Sequence, residues 1–213
     1  MELKNYTYLI LLIASIAAPL ALSFDKKVQY YKKLKYILPA ILFTASIFWV
    51  WDIQFTSSKV WSFNPEYTIG LNLIGMPIEE WLFFIVVPYC CVFIYEVLKV
   101  YFGKYDYAEP FRILSLFLIA GFVLISFLFR HQKYTFLTFL FSAIDLGYTV
   151  FRNKFRSHFT RFYFAYFVSL VPFIVVNGIL TSLPVVEYNS AHILNIRILN
   201  IPVEDFSYLF LML

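Results

Sequence analysis

The sequence predicts an all-α, polytopic membrane helical bundle of about seven transmembrane helices, arranged as two parallel three-helix repeats plus a connecting helix. Three observations carry that prediction. Hydrophobic residues make up 62% of the chain and charged residues 14%, against about 25% charged in a soluble domain, so the chain cannot clothe a water-facing surface. Six stretches approach the ~20 apolar residues needed to cross ~30 Å of hydrocarbon, and a seventh begins near the end of the sequence. A displacement of 125 residues lays Pro77-Ile78-Glu79-Glu80 on Pro202-Val203-Glu204-Asp205, and the match runs backwards without a gap.

The spans are placed at 7–24, 34–51, 77–100, 111–129, 134–151, 160–182 and 201–213. The first follows Lys4, and Ala18 and Ala21 resemble the small residues of a signal-peptide cleavage site. The repeat argues instead for a retained span, because the fifth stretch occupies the corresponding place. The third opens on Pro77 and the seventh carries Pro202 as its second residue, and proline suits a first helical turn. The seventh has about thirteen residues, or only ~20 Å of helix, so the chain is expected to continue past Leu213. The organisation is thus a first repeat over 1–105, a connecting helix over 106–131 and a second repeat over 132–213.

Loop charge sets the orientation, since Lys and Arg accumulate on the cytoplasmic side. The junctions after the first, third and fifth spans hold Lys26, Lys27, Lys32, Lys33, Lys35, Lys99, Lys104, Arg112, Arg152, Lys154, Arg156 and Arg161, whereas the other side has Lys4, Lys59, Arg130, Lys133 and Arg197. The N-terminus is expected outside, in a bacterial cytoplasmic membrane. The net charge of +4 then reflects topology rather than a nucleic-acid partner. Cys90 and Cys91 are adjacent in the third span, too close for an ordinary disulfide and without a metal-ligand cluster.

Within the repeat, Asp52 falls on Asn177, Thr56 on Thr181, Val60 on Val185 and Asn64 on Asn189. Three helices plus one connecting helix restore the direction, so the copies are parallel, and both acidic motifs start their spans from the outer face. Parallel repeats pack about an axis along the membrane normal with sites at their interface. Carboxylates at a helix start also complement the macrodipole, so capping alone would account for one motif. Two ionisable pairs at membrane entrances point further, because such groups are costly there. Asp52 and Asn177 add a polar group beside each pair.

Adjacent helical residues project about 100° apart, so one member of each pair faces a central site. Glu79 and Glu204 are identical between copies and are favoured as the chemical groups, with Glu80 and Asp205 as hydrogen-bonding support. Aromatic residues make up 22% of the chain. Trp81, Phe83, Phe84 and Tyr208 stand beside the acidic motifs, where rings serve an interfacial belt or face a cation. Asp145 is expected as a buried partner within the fifth span, aligned with Leu20; Glu96 is a boundary charge, His192 lies over the site, and His131 and His158 are interfacial.

Trp49-Val50-Trp51-Asp52, the loop over 61–75, and Pro77-Ile78-Glu79-Glu80-Trp81-Leu82-Phe83-Phe84 resemble the carotenoid lycopene cyclase domain. That family carries the unit twice, as two subunits or one fused polypeptide, and this chain is similar to the fused form. The resemblance implies a lycopene-type substrate, an isomerisation without net redox, and no flavin. It implies Glu79, Glu80, Glu204 and Asp205 as the acid/base set, with Asp52, Asn177, Trp81, Phe83, Phe84 and Tyr208 toward the substrate. No Gly-x-Gly-x-x-Gly fingerprint opens a helix after a strand. A carboxyl group acts as an acid only while it holds its proton, which a low-dielectric site favours.

Three other readings compete. A prenyltransferase would carry aspartate-rich motifs for magnesium and diphosphate, which this sequence lacks. A retinal-binding protein needs a lysine in its last span, and 201–213 has none. A proton-coupled transporter could use intramembrane carboxylates directly.

Overall fold

Each acidic motif starts its helix where a proline has already set the backbone, and a two-stranded hairpin delivers the chain to that proline. The computed structural model describes residues 2–213. Seven α-helices lie among them: α1 (Thr7–Leu22), α2 (Leu34–Ser57), α3 (Ile78–Phe102), α4 (Ala108–Leu128), α5 (Lys133–Phe151), α6 (Phe159–Ser182) and α7 (Val203–Met212). Short strands β1 (Trp61–Phe63), β2 (Asn72–Leu73) and β3 (Met76–Pro77) lie between α2 and α3, and β4 (Val186–Tyr188), β5 (Arg197–Ile198) and β6 (Ile201–Pro202) between α6 and α7.

Six helical segments are long and apolar enough to cross a membrane; α7, with ten residues, is not among them. The protein is a membrane protein, a helical bundle whose outward faces carry Phe43, Val50, Phe117 and Val171. Hydrocarbon is the solvent those faces suit, and helices satisfy their own backbone groups there.

Two boundaries differ from expectation for local reasons. Helix α2 runs to Ser57 rather than to residue 51, because its polar last turns are not a loop: Asp52 and Phe55 both turn inward and are 1% exposed. Helix α7 starts at Val203 rather than 201, since Ile201 and Pro202 pair as β6 with β5. Helices α4 and α5 form a tight hairpin, α1 and α6 flank α3, and α5 packs on α7.

Contacts repeat in pairs, as a two-fold relation requires. The N–H of Ile78 donates to the carbonyl of Leu71 at 2.8 Å, and that of Val203 to Ile196 at 3.1 Å. Ile74 and Leu199 share positive φ, at 51° and 57°. In the first hairpin Ile74 and Gly75 both have φ above zero, as a tight two-residue turn demands.

Strands β1 and β4 join the two halves. They pair antiparallel with Trp61 opposite Tyr188, Ser62 opposite Glu187 and Phe63 opposite Val186. Ser62 and Glu187 are repeat equivalents, so exchanging the halves maps this ladder onto itself. The same exchange relates Asn64 N–H on Val185 O (3.0 Å) to Asn189 N–H on Val60 O (2.9 Å). The pairing brings the starts of α3 and α7 under one roof.

Candidate functional site

Below that roof the two halves enclose a cavity of about 50 Å³. From the first repeat it is lined by Tyr8, Asp52, Trp61, Phe63, Glu80 and Phe83, and from the second by Tyr134, Phe173, Asn177, Tyr188, Asp205 and Tyr208, among others. Every polar group expected beside the motifs is here except one pair. Glu80 and Asp205 face the cavity; Glu79 and Glu204, favoured on identity, do not line it.

The helical offset explains the division. One Glu79 carboxyl oxygen accepts the N–H of Ile69 at 2.7 Å, and the equivalent oxygen of Glu204 accepts the N–H of Leu194 at 2.6 Å and the hydroxyl of Thr135 at 2.6 Å. Both residues are 0% exposed. They tie the loop preceding α3 or α7 to the start of that helix, a task common to both halves.

The cavity-facing pair is held by different partners. Tyr8 donates its hydroxyl to Glu80 at 2.6 Å, and Tyr134 donates to Asp205 at 2.8 Å. Asp205 also accepts from the Asn177 amide at 2.9 Å and from the Tyr188 hydroxyl at 2.8 Å. Burial and the neighbouring Asp205 carboxyl hold the Tyr188 hydroxyl well above its usual pKa, so it remains a donor. Across the repeat, Asn177 is replaced by Asp52 and Tyr188 by Phe63. Glu80 therefore has a second carboxyl where Asp205 has two donors, and the two are close enough to interact electrostatically. Asp52 Oδ2 and the Tyr208 hydroxyl are buried without a hydrogen-bond partner among the described residues.

Aromatic rings form the rest of the wall. Trp61 packs edge-on against Tyr134 at 5.1 Å and Tyr208 at 6.3 Å, with Tyr134 stacked on Tyr188 at 6.1 Å. Phe83 and Tyr208, repeat equivalents, both line the cavity. Trp81 does not: its indole donates to Leu73 O at 3.2 Å and its ring meets Trp49 at 5.0 Å. Phe84 is core, 1% exposed against Phe48 and Tyr208. Among the described residues no group of three or more His, Cys, Asp or Glu is arranged to hold a metal ion.

Sequence reasoning missed Tyr8 and Tyr134, and the signal lay in the repeat itself. These tyrosines are 126 residues apart, not 125, because the stretch from Tyr8 to Asp52 is one residue longer than that from Tyr134 to Asn177. On this register Asp145 matches Pro19 rather than Leu20. Asp145 is exposed on the outer face of α5 and not buried. Glu96 pairs with Lys33 and Lys99, and His158 meets the Tyr95 hydroxyl at 2.8 Å. His192 acts through its backbone, its carbonyl accepting the N–H of Tyr134 at 3.1 Å. Cys90 and Cys91 are free thiols.

A 58-residue stretch is 38% identical to the bifunctional lycopene cyclase/phytoene synthase of Neurospora crassa, covering 27% of this chain and 9% of that relative. No solved structure matches the chain. The family model described as lycopene cyclase matches residues 5–98 and 131–213, one segment in each half and together most of the sequence. The chain belongs to the lycopene cyclase family.

Proposed function

We propose that the protein is an enzyme that closes a six-membered ring at the end of lycopene or a closely related acyclic carotenoid, by proton transfer alone. The observation that carries this reading is the pair of unlike carboxyl environments meeting in one aromatic cavity: Asp52 with Glu80, and Asp205 among three donors.

Glu80 protonates the terminal double bond, giving a tertiary cation. A nearby double bond attacks it, closing the ring and moving the positive charge onto a ring carbon. Asp205 removes a proton from the neighbouring ring carbon, leaving a ring double bond of the β type. One proton enters, one leaves, and the product is an isomer of the substrate.

The donors divide these roles. Three donors on Asp205 compensate a negative charge, as a base requires. A heavily solvated carboxylate is a weak base, but a carbocation needs no strong one. Two carboxyl groups lining one wall resist ionising together, so one keeps its proton, which suits Asp52 and Glu80 to the donor side. Tyr8 stays on Glu80 as the proton leaves. The faces of Trp61, Phe83, Phe173 and Tyr208 stabilise positive charge without competing for the proton.

The test is expression in a bacterial host that accumulates lycopene, with pigments separated by chromatography. Cyclic carotenoid is expected with the wild-type chain. Untouched lycopene beside well-inserted protein would overturn the assignment and favour transport or pigment binding, which flux in proteoliposomes would then register. Asn177→Asp probes the division of labour: it removes a donor from Asp205 and sets a carboxyl in its place. Conversion should fall roughly tenfold or more, the worth of a hydrogen bond to a charged group, at unchanged protein abundance.

A further inference from the structure

The cavity accommodates a few waters but not a ring, so its carotenoid must come through an opening. Two apolar grooves on the lipid-facing surface are related by the repeat. One, of about 550 Å³, lies between α1, α3 and α6. The other, of about 460 Å³, lies between α2, α5 and α7. Their sizes are similar; their connections are not.

The first groove shares Phe83, Phe173, Asn177 and Leu209 with the carboxyl-lined cavity, so these side chains are a common wall with the groove on one side and the acids on the other. Among the described residues the second groove shares no lining residue with the cavity, and the adjoining pocket of about 360 Å³ toward the end of α5 meets the cavity at Met212 alone. There Trp51 and Phe48 stand between, packed on the Tyr208 ring at 5.6 and 5.0 Å, and Phe141 closes on Trp51 at 5.2 Å.

Equivalent positions explain the difference in size of side chain. Ser15, Ala18 and Val176 line the first groove where Phe141, Ile144 and Trp51 line the second. Asp145 contributes a carboxyl to the second groove, where the first has Pro19. A polyene gains nothing beside an ionisable group that must be solvated.

We propose that the substrate enters the site from the bilayer through the α1–α3–α6 groove alone, with Phe83 and Phe173 swinging aside to admit the end group while the rest of the polyene lies along Ala18 and Ser15. This rests on the cyclase reading above. The geometry then gives the enzyme one door and one chain end at a time, although the repeat supplies two doorways.

Ala18 is exposed in the groove, so a large side chain there displaces lipid or substrate rather than core. Ala18→Trp is expected to reduce ring formation roughly tenfold, comparable to overfilling a packed site, with unchanged abundance and thermal stability in detergent. The mirror-image change, Ile144→Trp in the second groove, is expected to leave conversion within about twofold, the ordinary range for a surface substitution. Ala14→Trp, one turn away, should act as Ala18→Trp does. If the wild type converts and Ala18→Trp and Ala14→Trp convert as well as it does, the groove holds only an acyl chain and the proposal is overturned. Equal loss from Ile144→Trp overturns it too, since both doors would be in use. A wild type that leaves lycopene untouched strikes the cyclase reading itself.

Discussion

Replacing Glu80 by Gln should reduce ring formation by about 10²–10⁴-fold, the contribution of a positioned proton donor, while the protein accumulates normally. Gln fills the same space and can still accept from Tyr8, whose hydroxyl lies 2.6 Å from the carboxyl. It cannot give up a proton to an alkene. The comparison that sharpens this result is Glu79→Ala, one residue away. That change orphans the N–H of Ile69, now bonded at 2.7 Å, and should cost about 1–3 kcal/mol of stability, read as a lower melting temperature in detergent. Whatever protein remains folded should convert substrate at close to the wild-type rate. Pigment analysis normalised to protein abundance separates the two: if Glu79→Ala loses turnover per folded molecule and Glu80→Gln does not, the two carboxyls have been given each other's roles.

The second large effect belongs to Asp205→Asn. It leaves Glu80, Asp52 and Tyr8 in place, so on the proposed division of roles the cation should still form while the group proposed to take the ring proton is gone. Net cyclisation should again fall by about 10²–10⁴-fold, and deuterated water separates the two failures. With Asp205→Asn the cation reverts by returning a proton to Glu80, and recovered acyclic carotenoid gathers deuterium at its terminal alkene carbon. With Glu80→Gln no proton is added, and the recovered substrate stays unlabelled. Mass spectrometry of the unreacted pigment reads the difference. Label in the Glu80→Gln substrate, or its absence from the Asp205→Asn substrate, would reverse or cancel the assignment of acid and base.

Much of the fold was legible because a bilayer permits few solutions. Six long apolar runs have to be helices, and the match of Pro77-Ile78-Glu79-Glu80 to Pro202-Val203-Glu204-Asp205 defines the repeat. The end of α2 was not legible, because Asp52, Gln54 and Thr56 interrupt the apolar run while the helix continues under the β1–β4 pairing. Nor could sequence rank the adjacent carboxyls. Identity between copies favoured Glu79 and Glu204, and a tie from each to a loop amide is equally a task that identical residues serve. The cavity-facing Glu80 and Asp205 differ in type and partner. Tyr8 and Tyr134 escaped because a constant offset assigns each the wrong partner, and a one-residue difference in the stretch from each tyrosine to Asp52 or Asn177 leaves no mark on hydropathy.

A single difference between the halves, Asp52 against Asn177, has meaning only because both lie on one chain. In a self-associating pair of identical subunits, each residue would occur on both sides of the axis. Two aspartates would then face each other's acids, or two asparagines, but never one of each. Covalent duplication removes that obligation: after it, one copy can lose a carboxyl and gain an amide without dragging its twin along. The β1–β4 ladder keeps the two-fold equivalence in its backbone, with Ser62 opposite Glu187, while the side chains beneath differ.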